Sequence, residues 1–326
     1  MFARTEMQEM LGDLVARLLE AENAFEARHA RLSGDIPDRL ALWPTLADQG
    51  ILGAAFDEAV GGFGGTMRDV AIVMAEVGRR LVVEPVLAAA VCGRVLAHCK
   101  MLDEIAAIVS GERVFALAHM ESGDPFATLA TNADADDAGY RLTGYKLAVR
   151  HADVAHAWLV TATLSGAPAV FLVEADAANV AIETFRLIDG SSAASLSFSG
   201  APATLLGDTL LVDRALATAL TGLAAEAAAI IRAANDATFS YLRTRSQFGV
   251  PLASFQALQH RAADMFMGAE EARALVDHAI DAIDAGASDA ALLASAAKAG
   301  TDRVGFKAGH DAVQLHGGMA YPTNST

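Results

Sequence analysis

Residues 226–249, Glu-Ala-Ala-Ala-Ile-Ile-Arg-Ala-Ala-Asn-Asp-Ala-Thr-Phe-Ser-Tyr-Leu-Arg-Thr-Arg-Ser-Gln-Phe-Gly, read as the end of a long alanine-rich helix that closes on two arginines and breaks at a glycine. Alanine favours the helix because it loses no side-chain entropy there. Cations at Arg243 and Arg245 suit the negative end of the helix dipole. Upstream, residues 215–231 are almost continuously apolar or small, interrupted by Glu226, and approach the length of a membrane span. Alanine and threonine dominate that run and a carboxylate sits in its middle, so a buried helix is expected and membrane insertion is not. The helix should start at Asp208 or Asp213. Ser254 and Ser288 are placed to cap two further helices.

Working outward, residues 1–112 also carry a helical period: Met10, Leu11, Leu14, Val15, Leu18 and Leu19 recur on one face. Ser33-Gly34-Asp35 with Pro37 punctuates the next start, and a helix from Pro37 to Gln49 should stop at Gly50. Thr66 with Asp69 forms a variant capping box, and another helix should open at Pro85. Between residues 113 and 206 the period changes to that of strands. Tyr140 to Val149 alternates around Gly144, residues 157–163 and 169–173 are strand-like, and residues 195–199 alternate again. Helices, strands, helices in blocks argue for separate units and against alternating βαβ construction. The expected organisation is therefore mostly α with a central β domain: helical 1–112, β 113–206, helical 207–326.

With 326 residues, the chain is long enough for more than one core. Its net charge of −16 repels nucleic-acid phosphates and anionic lipid, so any phosphate-bearing ligand needs local cations. The two cysteines, Cys92 and Cys99, share one helix face about 10 Å apart and should not pair. With no cysteine framework and no apolar signal core at the N-terminus, a cytoplasmic location is expected.

Among possible sites, Gly61-Gly62-Phe63-Gly64-Gly65 has the composition of a phosphate loop. It lacks the lysine and the preceding strand, so a tight connection is the simpler reading. His310 and His316 stand six apart, not four as on metal-binding helices, and no metal site is expected. Arg245 is a cation suited to a pyrophosphate, Phe248 is a ring beside it, and Gln247 and Gln256 supply amides. Gln314-Leu315-His316-Gly317-Gly318 ends another helix, where paired glycines allow a ligand or backbone to approach, or simply cap the helix.

Together, Glu226–Gly249, Phe255–Met265 and Gln314–Gly318 resemble the acyl-CoA dehydrogenase family, especially small-subunit types acting on pimeloyl-CoA. Trp43–Gly50 and Gly139–Lys146 extend the resemblance more loosely, and residues 61–65 resemble that family's Tyr-Gly-Gly-x-Gly turn with Val60 in place of tyrosine. The resemblance implies an N-terminal helical domain, a β-barrel-like middle domain and a C-terminal four-helix bundle. It also implies FAD held across a dimer interface. By position, Arg245, Gln247 and Phe248 would contact FAD phosphates and adenine. Gln256 and Gln314 with Gly317 and Gly318 would help bind the flavin of the neighbouring subunit. Activity on an acyl-CoA substrate, a homodimer, tetramer or heteromeric partner, and an electron-transfer flavoprotein or similar acceptor follow from the same resemblance.

Departures from the family pattern are clear. The commonest position of the catalytic glutamate falls beyond Thr326, and the alternative position, on the helix leading to the arginines, is Ala219. No catalytic base is assigned. The flavin loop Thr-Glu-x-x-x-Gly-Ser-Asp is reduced to His119-Met120-Glu121-Ser122-Gly123-Asp124, and Ala320 and Asn324 replace a typical glycine and glutamate. Three readings stay open: an acyl-CoA dehydrogenase, a catalytically silent partner subunit of a heteromeric one, and a helical scaffold without redox work.

Overall fold

The computed structural model describes residues 4–33, 38–124, 127–136 and 139–320. Among the described residues, six α-helices come first: α1 (Glu6–Glu22), α2 (Phe25–Leu32), α3 (Trp43–Asp48), α4 (Met67–Arg80), α5 (Val86–His98) and α6 (Leu102–Val109). The expected Thr66 box is formed. The Thr66 hydroxyl accepts from Asp69 N at 3.2 Å and Asp69 returns a bond to Thr66 N at 3.0 Å. α5 opens at Pro85 as expected. One boundary differs: the helix expected from Pro37 begins at Trp43, whose N–H bonds to Leu40 O, while the punctuation at 34–37 lies outside the described residues. Cys92 is buried and Cys99 half-buried, both free, with the Cys99 thiol on Leu206 O.

The glycine run at 61–65 is a tight connection. A Cβ on Gly62 would lie 1.9 Å from Phe56 O and 2.7 Å from Gly53 O, both backbone atoms that cannot swing aside. The start of α4, which a phosphate would have to reach, is already served: Asp284 accepts from Met67 N at 2.6 Å and from Arg68 N at 3.2 Å. Gly62→Ala is therefore expected to lower unfolding stability by about 2–3 kcal/mol. Gly123→Ala, with nothing within 4 Å of the new methyl, should shift it by less than about 0.5 kcal/mol. Chemical denaturation of the two variants checks the contrast.

Seven strands follow among the described residues: β1 (Phe115–Ala118), β2 (Asn132–Asp136), β3 (Gly139–Arg150), β4 (Ala157–Leu164), β5 (Ala167–Glu174), β6 (Val180–Arg186) and β7 (Ser192–Gly207). Neighbours run β4, β2, β3, β7, β5 and back to β4, a closed barrel-like ring with β1 beside β4 and β6 beside β7. Closure is possible because β7 is 16 residues long. β3 pairs with it from Ala193 to Ala203, while β6 pairs with Ser192 to Phe198 and β5 takes over from Thr204 to Gly207. A bulge between Lys146 and Val149, where Ala148 takes φ 52°, bends β3 around the ring.

The last block holds α7 (Thr209–Thr244), α8 (Gln256–Asp284) and α9 (Ala290–His316), packed on one another, with α4 lying against α7 and α8. Asp208 caps α7 through Leu210 N, one of the two expected starts. By length and composition α7 could cross a membrane, yet it is a core helix here, burying Leu211, Val212, Ala215, Ala224 and Ile231 among its neighbours. The expected serine caps are not made. Phe255 and Asp289 occupy the cap positions of α8 and α9 without a side-chain bond. The Ser254 hydroxyl instead donates to Pro251 O within a short 3-10 turn, so it is not available to cap α8.

Candidate functional site

The end of α7 sets the site. Arg245 leaves the helix with extended backbone while its N–H still reaches Tyr241 O at 2.8 Å, and Leu252 N returns to Arg245 O at 2.8 Å. Between them the chain makes a two-residue hairpin, β8 (Ser246–Gln247) against β9 (Val250–Pro251). Phe248 and Gly249 form its tip with φ of 56° and 84°, the left-handed pair that such hairpins require. The ring of Phe248 is 93% exposed and meets Phe255 edge-on at 6.3 Å.

Beneath the hairpin, Leu242 of α7, Met265 of α8 and Leu315 of α9 form a small apolar cluster that fixes the three helix ends together. Above that cluster lies an open groove of about 590 Å³. Arg245, Gln247, Gln314, Gly317 and Gly318 all line it. Phe248 at the hairpin tip and Gln256 at the first position of α8 are exposed and stand outside its lining. Gly317 ends α9 at φ 59°, ψ −140°, a conformation open to glycine, and nothing lies within 4 Å of a Cβ built on Gly317 or Gly318. The paired glycines thus serve both as a helix end and as an open floor.

The lining residues not singled out as groove residues from the sequence include Tyr241, Arg261, His316 and Met319. Tyr241 stacks on His316 with ring centroids 4.5 Å apart. His316 also bonds Ala312 O, and His310 bonds Phe306 O, so each histidine is engaged one turn back on its own helix. Tyr241 precedes Arg245 by one helical turn, a spacing that put both on one face and was readable in principle. Arg261 lies on another helix, and no local spacing announces it.

The charge of the lining matters most. Among the described residues it contains two arginines and no aspartate or glutamate, on a chain of net charge −16. With Gln247 and Gln314 adding amides and the glycines leaving open floor, this donor set fits an anionic ligand such as a dinucleotide pyrophosphate.

The segment read as a degraded flavin loop has a structural task. The Glu121 carboxylate accepts from Lys146 Nζ at 2.6 Å, from Thr131 N at 3.1 Å and from Ala130 N. Lys146, wholly buried, also donates to His119 O at 3.1 Å and Thr161 Oγ1 at 3.3 Å. Burial holds the lysine down to about 8 against the pull of Glu121. For Glu121, burial acts upward but is outweighed by Lys146, Thr131 and Ala130, leaving its carboxyl below the ordinary range. The 2.6 Å contact is one in which each partner favours the other's charged form.

Ala219, the alternative base position, is half-buried against the core. Two turns farther along the same helix is Glu226, half-buried, its Cγ lying 3.0 Å from where a Gly78 Cβ would stand. Burial pushes the Glu226 carboxyl up, Arg150 pulls it down and Asp189 pushes it up. Asn324 lies outside the described residues.

Comparison with known proteins bears on the family and the fold. Family models described as "Acyl-CoA dehydrogenase, N-terminal domain" and "Acyl-CoA dehydrogenase, C-terminal domain" match residues 5–103 and 211–326. Acyl-CoA dehydrogenase FadE27 of Mycobacterium tuberculosis is 30% identical, over 99% of this chain and 90% of its own length. Acyl-CoA dehydrogenase IpdE2 of Mycolicibacterium smegmatis is 28% identical over 97% and 88%. Among solved structures, the Tcur3481-Tcur3483 steroid ACAD superposes with a TM-score of 0.90 at 32% identity, covering 97% of this chain and 90% of that one. The ChsE4-ChsE5 complex from Mycobacterium tuberculosis gives 0.89 at 27% identity, covering 98% and 88%.

Proposed function

The chain belongs to the acyl-CoA dehydrogenase family, and from that premise we propose that it holds FAD and forms a 2,3-enoyl-CoA from an acyl-CoA thioester. The observation that carries this reading is the acid-free groove in which Arg245 is joined by Gln247, Gln314 and the Gly317-Gly318 floor. Bound FAD would supply the hydride acceptor, chemistry that no side chain provides. The protein's own part is to bind and to orient. Arg245 grips phosphate oxygens through charge-assisted hydrogen bonds, Gln247 and Gln314 offer amides, and the glycines let the ligand lie against backbone. Phe248 and Gln256, exposed beside the groove, are placed to meet the same ligand or a second subunit.

Purified protein should carry flavin absorbance that bleaches on adding an acyl-CoA under anaerobic conditions. A full chain without flavin, or with flavin that no acyl-CoA bleaches, would contradict the dehydrogenase reading. A second reading is favoured by Ala219, which offers no carboxylate where some relatives have one. In it the chain is a silent subunit that lends this groove to a flavin in a heteromeric dehydrogenase. Turnover by the isolated homo-oligomer would eliminate that alternative. In either case the electron acceptor would be an electron-transfer flavoprotein or similar carrier.

A further inference from the structure

Arg261 faces the groove from α8, opposite the α7 end that carries Arg245. Ala257, one turn before it, lines the same wall, so the side of α8 that meets the groove is defined by a helical pair. Behind it runs a short ladder of charge. Arg261 Nη1 is 3.5 Å from Asp311 Oδ1, and Lys307 Nζ is 2.9 Å from the other oxygen, Asp311 Oδ2. Asp311 is 15% exposed while Arg261 is 50% exposed.

These distances set an order of preference. The carboxylate's closer partner is Lys307, held one helical turn away on α9, so Asp311 keeps a counter-charge when Arg261 departs. Half-exposed ion pairs at such a separation hold weakly, whereas an arginine meeting a phosphate makes short, paired, charge-assisted bonds. An anion in the groove therefore outcompetes Asp311 for the guanidinium.

We propose that Arg261 is a second pyrophosphate-binding cation of the groove, exchanging Asp311 for the ligand's phosphate oxygens while Lys307 keeps Asp311 neutralised. This rests on the dinucleotide reading of the groove and adds to it a residue and a built-in competitor. Asp311 then tunes affinity: it attracts Arg261 away from the ligand, and weakening that attraction tightens binding.

The test titrates full-length protein, freed of flavin, with FAD and separately with ADP and inorganic pyrophosphate, by calorimetry or flavin fluorescence. Arg261→Gln should weaken FAD about tenfold, the loss of one charge-assisted contact, and flatten the salt dependence of binding. Arg261→Lys should recover part of the loss, keeping charge without the fork. Asp311→Asn should tighten FAD about two- to threefold, and that gain should vanish in the Arg261→Gln background, as coupling through the shared pair requires. A purely structural Arg261 would lower the thermal midpoint of the flavin-free protein without this coupling. Equal FAD affinity in Arg261→Gln and the parent, with Arg245→Glu impaired, overturns the proposal and leaves the flavin reading standing. A parent protein that takes up no FAD overturns both.

Discussion

Arg245→Glu should reduce the affinity of the flavin-free protein for FAD by about 100-fold or more. Hydrogen bonds to charged groups are worth about 1.5–3 kcal/mol each, or about 10- to 100-fold in affinity, and reversing the charge adds repulsion against the pyrophosphate. The loss should be confined to binding. The side chain is exposed, and the contacts that shape the helix end are made by backbone, Arg245 N to Tyr241 O and Leu252 N to Arg245 O. Without flavin, the unfolding free energy should thus stay within about 0.5 kcal/mol of the parent, as for surface changes generally. Flavin-to-protein ratio after purification and FAD titration measure the effect. Arg245→Glu that purifies with a full complement of FAD would remove the central support of the proposed function.

The helices-strands-helices order was readable because apolar periodicity changes where the fold changes. Residues 140–149 alternate because β3 presents one face to the ring interior, and residues 215–231 are apolar because α7 is surrounded by α4, α5, α8 and α9. Barrel closure came from the family resemblance and not from periodicity, since it depends on β7 passing from β6 to β5 partway along its length, which no local pattern encodes. The serine caps failed for a comparable reason. Ser254 had the right chemistry, but the preceding 3-10 turn took its hydroxyl.

The candidate site divides in the same manner. Arg245 and Gln247 are contiguous, and Gln314, Gly317 and Gly318 form one motif, so each half could be recognised as a string. Their meeting in one groove depends on α7 and α9 ending side by side over Leu242 and Leu315. Arg261 belongs to neither string and becomes visible when α8 is packed between them. Phe248 shows the opposite case: prominent in the motif, it stands at the hairpin tip and outside the groove lining.

The largest stability effect is expected where the sequence looked merely degraded. Glu121→Ala removes the counter-charge of a lysine whose side chain is 0% exposed and takes the carboxylate acceptor from the N–H of buried Thr131. Breaking a buried pair from one side costs about 3–5 kcal/mol, because the remaining charge keeps its desolvation penalty and loses its attraction. The variant's lysine should respond by releasing its proton. Its deficit relative to the parent should therefore shrink as pH rises toward and beyond about 8, where Lys146 of the parent also becomes neutral. At acid pH the sign follows from Glu121. Its folded pKa lies below the unfolded value, so the stability it contributes is fully present above the ordinary carboxylate range and is lost as pH falls through the depressed value. The parent should lose stability across that window more steeply than Glu121→Ala. Replacing both partners by apolar residues, Glu121→Leu with Lys146→Met, should recover part of the single-variant loss, since neither charge is then buried alone. Urea midpoints for the four proteins across pH decide the matter. A Glu121→Ala midpoint equal to the parent's at pH 7 would mean that Lys146 is already solvated or neutral, and the pair would have no claim to anchor the loop.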